Sequence, residues 1–208
     1  MLQTQTVEPG TLSILKQLMA IPELQSFSLV GGTALALKYG HRTSVDLDLF
    51  STENFEHQMV IDVLRREFGT SFVHESDFAK WGVFCVIGGV KVDLVYYPHK
   101  QLYPAEVRED IRMYDDRDLI AMKIQAILGR GKKKDFWDIC ELLQHYSLSE
   151  AVDFHIDKYT NQMLLISIPQ ALIYFEDAEK SDEPVSFKGQ TWLKIKNDIK
   201  KTVRDFLL

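Results

Sequence analysis

Leu29-Val30-Gly31-Gly32-Thr33-Ala34-Leu35, followed by Ser44-Val45-Asp46-Leu47-Asp48-Leu49-Phe50, is the stretch whose reading decides the fold. Phe27 to Val30 is a short β-prone run that ends at the glycine pair. Thr33 to Tyr39, rich in Ala and Leu, resumes as helix with Gly40 as its stop. Ser44 to Phe50 alternates apolar and polar residues as a half-buried strand does, so Val45, Leu47 and Leu49 are expected in the core. Asp46 and Asp48 then leave the opposite face, about 7 Å apart along the backbone. A glycine turn that opens a helix offers free N–H groups and the positive end of the helix dipole. Gly31, Gly32 and Thr33 are therefore a candidate grip for a triphosphate.

A third acid lies downstream. Trp81 to Ile87 and Val90 to Tyr97 are β-prone and flank Gly88-Gly89, a pairing that permits the positive φ angles of a tight hairpin. Asp93 shares a face with Lys91 and Val95, opposite Val92 and Leu94, and joins Asp46 and Asp48 if the two strands are neighbours. Three carboxylates on adjacent strands make the oxygen-only donor set that Mg²⁺ prefers, suited to phosphoryl-type chemistry. An isolated Asp-x-Asp on an alternating strand simply exposes a polar face. The glycine turn upstream is what turns the reading toward a metal and nucleotide site.

Around this centre, Thr11 to Met19 and Glu56 to Phe68 have helical spacing, and the pattern becomes helical from Asp118 onward. Helices are expected over Asp118 to Leu128, Lys134 to Tyr146, a pair between Ser149 and Phe175, and Gln190 to Leu207, with Glu179 to Gly189 as a charged linker. The fold class is α+β: a small mixed-sheet unit over residues 1–115 and a helical region over 116–208 packed on it. The 208 residues are 46% apolar and 26% charged, enough for a substantial core. A net charge of -6 means that any contact with RNA must come from a local basic patch. Cys85 and Cys140 sit in apolar runs and read as structural thiols of a reducing compartment. The first residues do not resemble a leader, and no run approaches the ~18 apolar residues of a membrane span, so a cytoplasmic protein without membrane partners is expected.

The two motifs resemble the AbiEii/AbiGii toxin family of nucleotidyltransferases, within the DNA polymerase β-like superfamily. Its members carry a glycine pair, an Asp-x-Asp on a strand about a dozen residues on, and a later acid at the place Asp93 fills. The resemblance continues through Ala121-Met122-Lys123, Arg130 and Lys134-Asp135-Phe136-Trp137-Asp138, which are similar to the family's helical signature. It covers roughly Leu29 to Leu143 and leaves the last 60 or so residues unmatched. It implies a nucleotidyltransferase fold in which Asp46, Asp48 and Asp93 hold Mg²⁺ and Lys123 steadies the phosphates. It also implies transfer of NMP from an NTP to a tRNA end or a protein hydroxyl, and a cognate antitoxin. A catalytically inactive binding module, or an antibiotic-type enzyme acting on a small molecule, would carry the same motifs.

The helical signature has a physical reading of its own. Lys123 lies on its helix's apolar stripe between Ile120 and Ile127, so it should meet a carboxylate or a phosphate. Asp135 follows three lysines at the start of a helix, where it caps the helix or, by resemblance, serves as a fourth acid that positions Lys123. Asp138 is expected to pair with Lys134, four residues earlier. Arg130, Lys132, Lys133 and Lys134 form a basic turn that either faces the cleft or is solvated; Gly129-Arg130-Gly131-Lys132 lacks the spacing of a P-loop. His41 and Arg42 precede the Asp-x-Asp strand and lie either near the nucleotide or, as the leading reading, in a surface loop, and the six histidines lack zinc-ligand pairing. Trp192, Ile195, Ile199, Val203 and Phe206 form the apolar stripe of a core-packing C-terminal helix.

Overall fold

The computed structural model describes residues 1–74 and 80–208. Pro9 opens α1 (Pro9–Ala20), where its missing N–H costs nothing. β1 (Ser28–Val30) runs straight into α2 (Gly31–Tyr39), which ends on Gly40 in the left-handed conformation. β2 (Leu47–Ser51), α3 (His57–Phe68) and β3 (Phe72–His74) follow. Next come β4 (Gly82–Ile87) and β5 (Val90–Tyr96), joined by the expected Gly88-Gly89 hairpin with both φ angles positive. β6 (Glu106–Arg108) and β7 (Ile111–Met113) complete a sheet of order β3-β4-β5-β2-β1-β7-β6.

The helical half comprises α4 (Asp116–Gly129), α5 (Lys133–Leu142), α6 (Leu148–Lys158), α7 (Ile168–Leu172), α8 (Glu176–Glu179) and α9 (Trp192–Leu207). The α+β class holds: a mixed sheet followed by helices. One apolar core runs from Leu2 to Val203. Trp192 of α9 stacks on Trp137 of α5 with centroids 5.8 Å apart, while Phe136 and Phe175 meet it edge-on. Contacts of this kind are worth about 0.5–1.5 kcal/mol each beyond burial, and they tie α9 to α5. Phe206, expected on the buried stripe, is exposed near the end of α9. Cys85 and Cys140 are buried free thiols, and burial pushes the Cys140 thiol up to about 12. Among the described residues no helix is long and apolar enough to cross a membrane.

Two expectations are corrected here. β2 begins at Leu47 and not at Ser44, and Val45 is 57% exposed and lies outside the core. The preceding backbone bonds elsewhere: Ser44 N–H donates to Thr6 O, Thr43 N–H to Val185 O, and Phe187 N–H to His41 O. The same bonds show that Glu179 to Gly189 is no free linker, because residues 185–187 lie as a strap along His41 to Thr43. The β6–β7 hairpin was not expected at all. It turns on Glu109 and Asp110, both at positive φ, without the Gly or Asn that advertises such a turn.

Candidate active site

β2 lies between β1, antiparallel, and β5, parallel, so Val30, Asp48 and Asp93 fall in one row across the sheet. The strand alternation buries Leu47 and Leu49 and leaves Asp48 and Phe50 on the side of a cleft of about 380 Å³. Asp46, just ahead of β2, lines the cleft with its side chain 41% exposed, 3.7 Å from the Lys134 ammonium. Asp93 sits deeper. Its Oδ2 accepts from Lys91 at 3.0 Å, and its Oδ1 is buried without a hydrogen-bond partner. Burial first, then the adjacent Asp93 and Asp46, push the Asp48 carboxyl above its ordinary value, against the pull of Lys123 and Lys134.

α2 opens beside these acids with no side chain capping its N-terminus, so its leading N–H groups and dipole are left for a ligand. Gly31 has φ of +69°, and a Cβ there would stand 2.6 Å from Asp48 Oδ2. Only glycine allows the helix to start this close to the carboxylate. Gly31→Ala is expected to cost about 1–3 kcal/mol in backbone strain and to lower nucleotide affinity at least tenfold by displacing Asp48. Melting curves and nucleotide titration check it; unchanged values in both would mean that Asp48 can move aside freely. Gly32 lines the cleft too. The Thr33 side chain is buried and its hydroxyl is engaged with Ser44 Oγ at 2.8 Å and with the Asp46 carbonyl, so it braces the loop that carries Asp46 and only its backbone N–H, in the first turn of α2, is left to face a phosphate.

Beneath the cleft floor lies a buried ionic network in which Lys123 meets carboxylates, as its place on the apolar stripe predicts, joined by His41 and Arg42, whose part the sequence reading missed. Asp138 accepts a two-pronged bond from Arg42 (Nε 2.6 Å, Nη2 2.7 Å), one from His41 Nε2 at 2.7 Å, and the Lys123 ammonium at 2.7 Å. Its carboxylate is 0% exposed, so its expected partnership with exposed Lys134 is replaced by these three. His41 and Arg42 are likewise buried, not surface loop. Asp135, fully buried at the third position of α5, accepts both prongs of Arg130 at 3.0 Å, Lys123 at 3.2 Å and the Lys132 N–H at 3.3 Å. It both caps the helix and holds Lys123, the two roles expected of it, and it is buried without lining the cleft. Of the basic turn, Arg130 and Lys134 line the cleft. Lys132 and Lys134, with Lys180, line a second hollow of about 450 Å³ that opens from Asp46.

The donor set is all oxygen, an orphaned carboxylate oxygen waits at Asp93, and burial with the neighbouring acids Asp93 and Asp46 holds the Asp48 carboxyl above its ordinary value. Among the described residues no three His, Cys, Asp or Glu side chains already close into a cage. Asp46 and Asp48 instead open onto the cleft, as in sites where one or two carboxylates share a hard cation with substrate phosphates. The residues fit such an ion.

A helix N-terminus bared by glycine thus stands beside strand-borne acids at the edge of the cleft, an arrangement suited to phosphoryl-type chemistry. The chain belongs to the family of nucleotidyl transferase AbiEii toxins of type IV toxin–antitoxin systems, whose pattern matches residues 13–205. It is 30% identical over 202 residues to an uncharacterised protein of Aquifex aeolicus, covering 93% of this chain and 94% of that one. Its fold is similar to MenT4, a nucleotidyltransferase toxin of Mycobacterium tuberculosis (TM-score 0.56, 13% identity, 93% of this chain and 82% of that one). A Helicobacter pylori protein assigned as a nucleotidyltransferase has a similar fold as well (TM-score 0.51, 16% identity, 96% and 97%).

Proposed function

We propose that the protein transfers a nucleoside monophosphate from an NTP to the end of an RNA chain, tRNA being the leading candidate, with Mg²⁺ as its metal. The observation that carries the reading is the row of Asp48 and Asp93 in register on adjacent strands, with Asp46 one step away, facing the bared N-terminus of α2. Asp46 and Asp48 would hold the ion with Asp93 completing the set; when bound it supplies charge stabilisation to the transferring phosphoryl group. The N–H groups of Gly31 and Gly32 hold phosphate oxygens. Arg130 and Lys134 offset their charge, and the acceptor hydroxyl displaces pyrophosphate at the α-phosphorus.

Lys123 lies between the buried pair Asp135 and Asp138 and the cleft wall, so it presents a fixed positive charge below the phosphates. The acceptor would enter by the second hollow beside Asp46, where Lys132, Lys134 and Lys180 stand together with Asp182 and Glu183; the three lysines would meet the phosphates of an RNA acceptor there. Within a toxin–antitoxin pair such transfer would disable the RNA in the cytoplasm, and a cognate antitoxin would oppose it.

The test is to incubate the protein with Mg²⁺, each α-labelled NTP, and total bacterial RNA or protein, beside an Asp46→Asn control. Label on RNA with the wild type alone is the expected result. Label on protein would move the acceptor to a hydroxyl side chain, and no label on any acceptor would overturn the reading.

A further inference from the structure

Along α4 the residues facing the cleft change character. Arg130 stands at the basic end, while Met122 and Leu119 lie toward the other, Leu119 about 16 Å away along the helix axis. At that far end Phe50 and Tyr97 extend the strands that carry Asp48 and Asp93, and their rings lie 5.0 Å apart. Tyr159 closes the wall, its hydroxyl bonded to that of Tyr97. This end suits a flat, apolar-faced group, and the basic end suits its phosphates.

Gln125 is the one carboxamide among the described residues that line this cleft. Its Oε1 lies 3.0 Å from Nε2 of His155, an imidazole buried in α6 and set 4.9 Å from the Tyr159 ring. Burial lowers the His155 pKa to about 4, so the ring is neutral at physiological pH and its Nε2–H donates to the amide oxygen. Gln125 stands between this cleft and another hollow lined by His99, Lys158 and Tyr159, and with the oxygen engaged its two amide N–H bonds are what it can offer to either side. α6 is itself pinned: Lys158 makes a buried ion pair with Asp118 at 2.6 Å and donates to the Lys100 carbonyl at 2.8 Å. Neither Gln125 nor His155 has a part in the metal or phosphate chemistry above.

We propose that Gln125 selects the donor nucleotide by reading the edge of its base, and that His155 is a positioning residue that holds the Gln125 amide with its N–H groups toward that edge. The inference rests on the nucleotidyl-transfer reading and extends it to specificity. A base that presents acceptor atoms to Gln125 is taken. One that presents a donor there leaves donors facing each other and is rejected, as sites built around a buried hydrogen bond reject mismatched groups.

The experiment compares kcat/KM for ATP, GTP, CTP and UTP in the wild type, Gln125→Leu, Gln125→Glu, His155→Leu and His155→Asn, with a melting curve for each. The wild type should prefer one or two nucleotides. Gln125→Leu should shrink the ratio of best to worst by about tenfold or more, mainly through KM. His155→Leu should shrink it too, and His155→Asn, which keeps an N–H donor, should recover part of it. If Gln125→Leu melts far below the wild type, the isosteric Gln125→Glu gives the answer, since replacing donors by acceptors should depress the preferred nucleotide most. A wild-type ratio kept in Gln125→Leu or Gln125→Glu overturns the proposal, as does a wild type that uses all four nucleotides equally. Absence of turnover with every nucleotide would instead bring down the nucleotidyl-transfer reading beneath it.

Discussion

Asp48→Asn is expected to abolish nucleotidyl transfer while raising the melting temperature of the metal-free protein. The first half follows from position: Asp48 stands in register with Asp93, lines the cleft, and touches the space that a Gly31 Cβ would fill. Charge stabilisation at a transferring phosphoryl group is the larger part of such catalysis, so loss of one carboxylate should cost at least a hundredfold, the order seen when single stabilising groups are removed elsewhere. The second half follows from electrostatics. Burial, with Asp93 and Asp46 adding to it, raises the folded-state pKa of Asp48. A raised carboxyl contributes stability that is fully present below the unfolded value of about 3.9 and is lost as pH rises through the folded value. At neutral pH the ionised Asp48 is therefore a cost, and a neutral isostere removes it. For a chain of this size each 1 kcal/mol moves the midpoint by roughly 2–4 °C. Melting at pH 7 in chelator should show the variant above the wild type. With Mg²⁺ and a non-reacting nucleotide the order should reverse, because only the wild type gains from binding. A variant that melts lower in chelator, or that still transfers label, would refute the account of Asp48.

The same contrast explains which parts of the site could be read from the sequence. Gly31-Gly32, Asp46 and Asp48 announce themselves because turn, helix start and strand alternation are local, and the Gly88-Gly89 hairpin that delivers Asp93 is local too. The family resemblance, carried by Leu29 to Leu143 alone, extends over residues 13–205 once the whole chain is compared. What escaped depends on contacts between distant segments. Arg42 and Asp138 are 96 residues apart, and nothing near either one marks the pairing. One sign was present: Asp138 sits in Phe136-Trp137-Asp138-Ile139-Cys140, an otherwise apolar run where an acid must be buried with a cation. The i,i+4 pairing with Lys134 is a rule for exposed helix faces, and from Asp135 onward α5 is buried throughout. The Thr33 hydroxyl shows the same limit: a residue at a helix start can offer it outward or inward, and only the placement of Ser44 and Asp46 decides between them.

Asp138→Asn tests whether the buried network holds the site together. Burial opposes ionisation of Asp138, yet Arg42 and Lys123, with His41, hold its carboxyl well below the usual range. Removing the charge leaves Arg42 and Lys123 facing a neutral amide in the interior, and breaking a buried pair from one side costs about 3–5 kcal/mol. The loss reaches the cleft directly, because Arg42 and Lys123 both line it and the Arg42 loop leads into Asp46. Transfer should therefore fall with stability, and raising the nucleotide concentration should recover only the part due to weaker binding. The pH dependence separates this from a simple packing defect. A depressed carboxyl contributes stability above its unfolded value of about 3.9 and loses it as pH falls through the folded value. The gap between wild type and variant should thus narrow as pH falls below about 4, where Asp138 must take up a proton. Urea unfolding from neutral to acid pH measures it. A gap under about 1 kcal/mol at pH 7, or one that does not narrow in acid, would mean that Asp138 contributes shape and not charge, and that Arg42 and Lys123 are held in place by their other contacts.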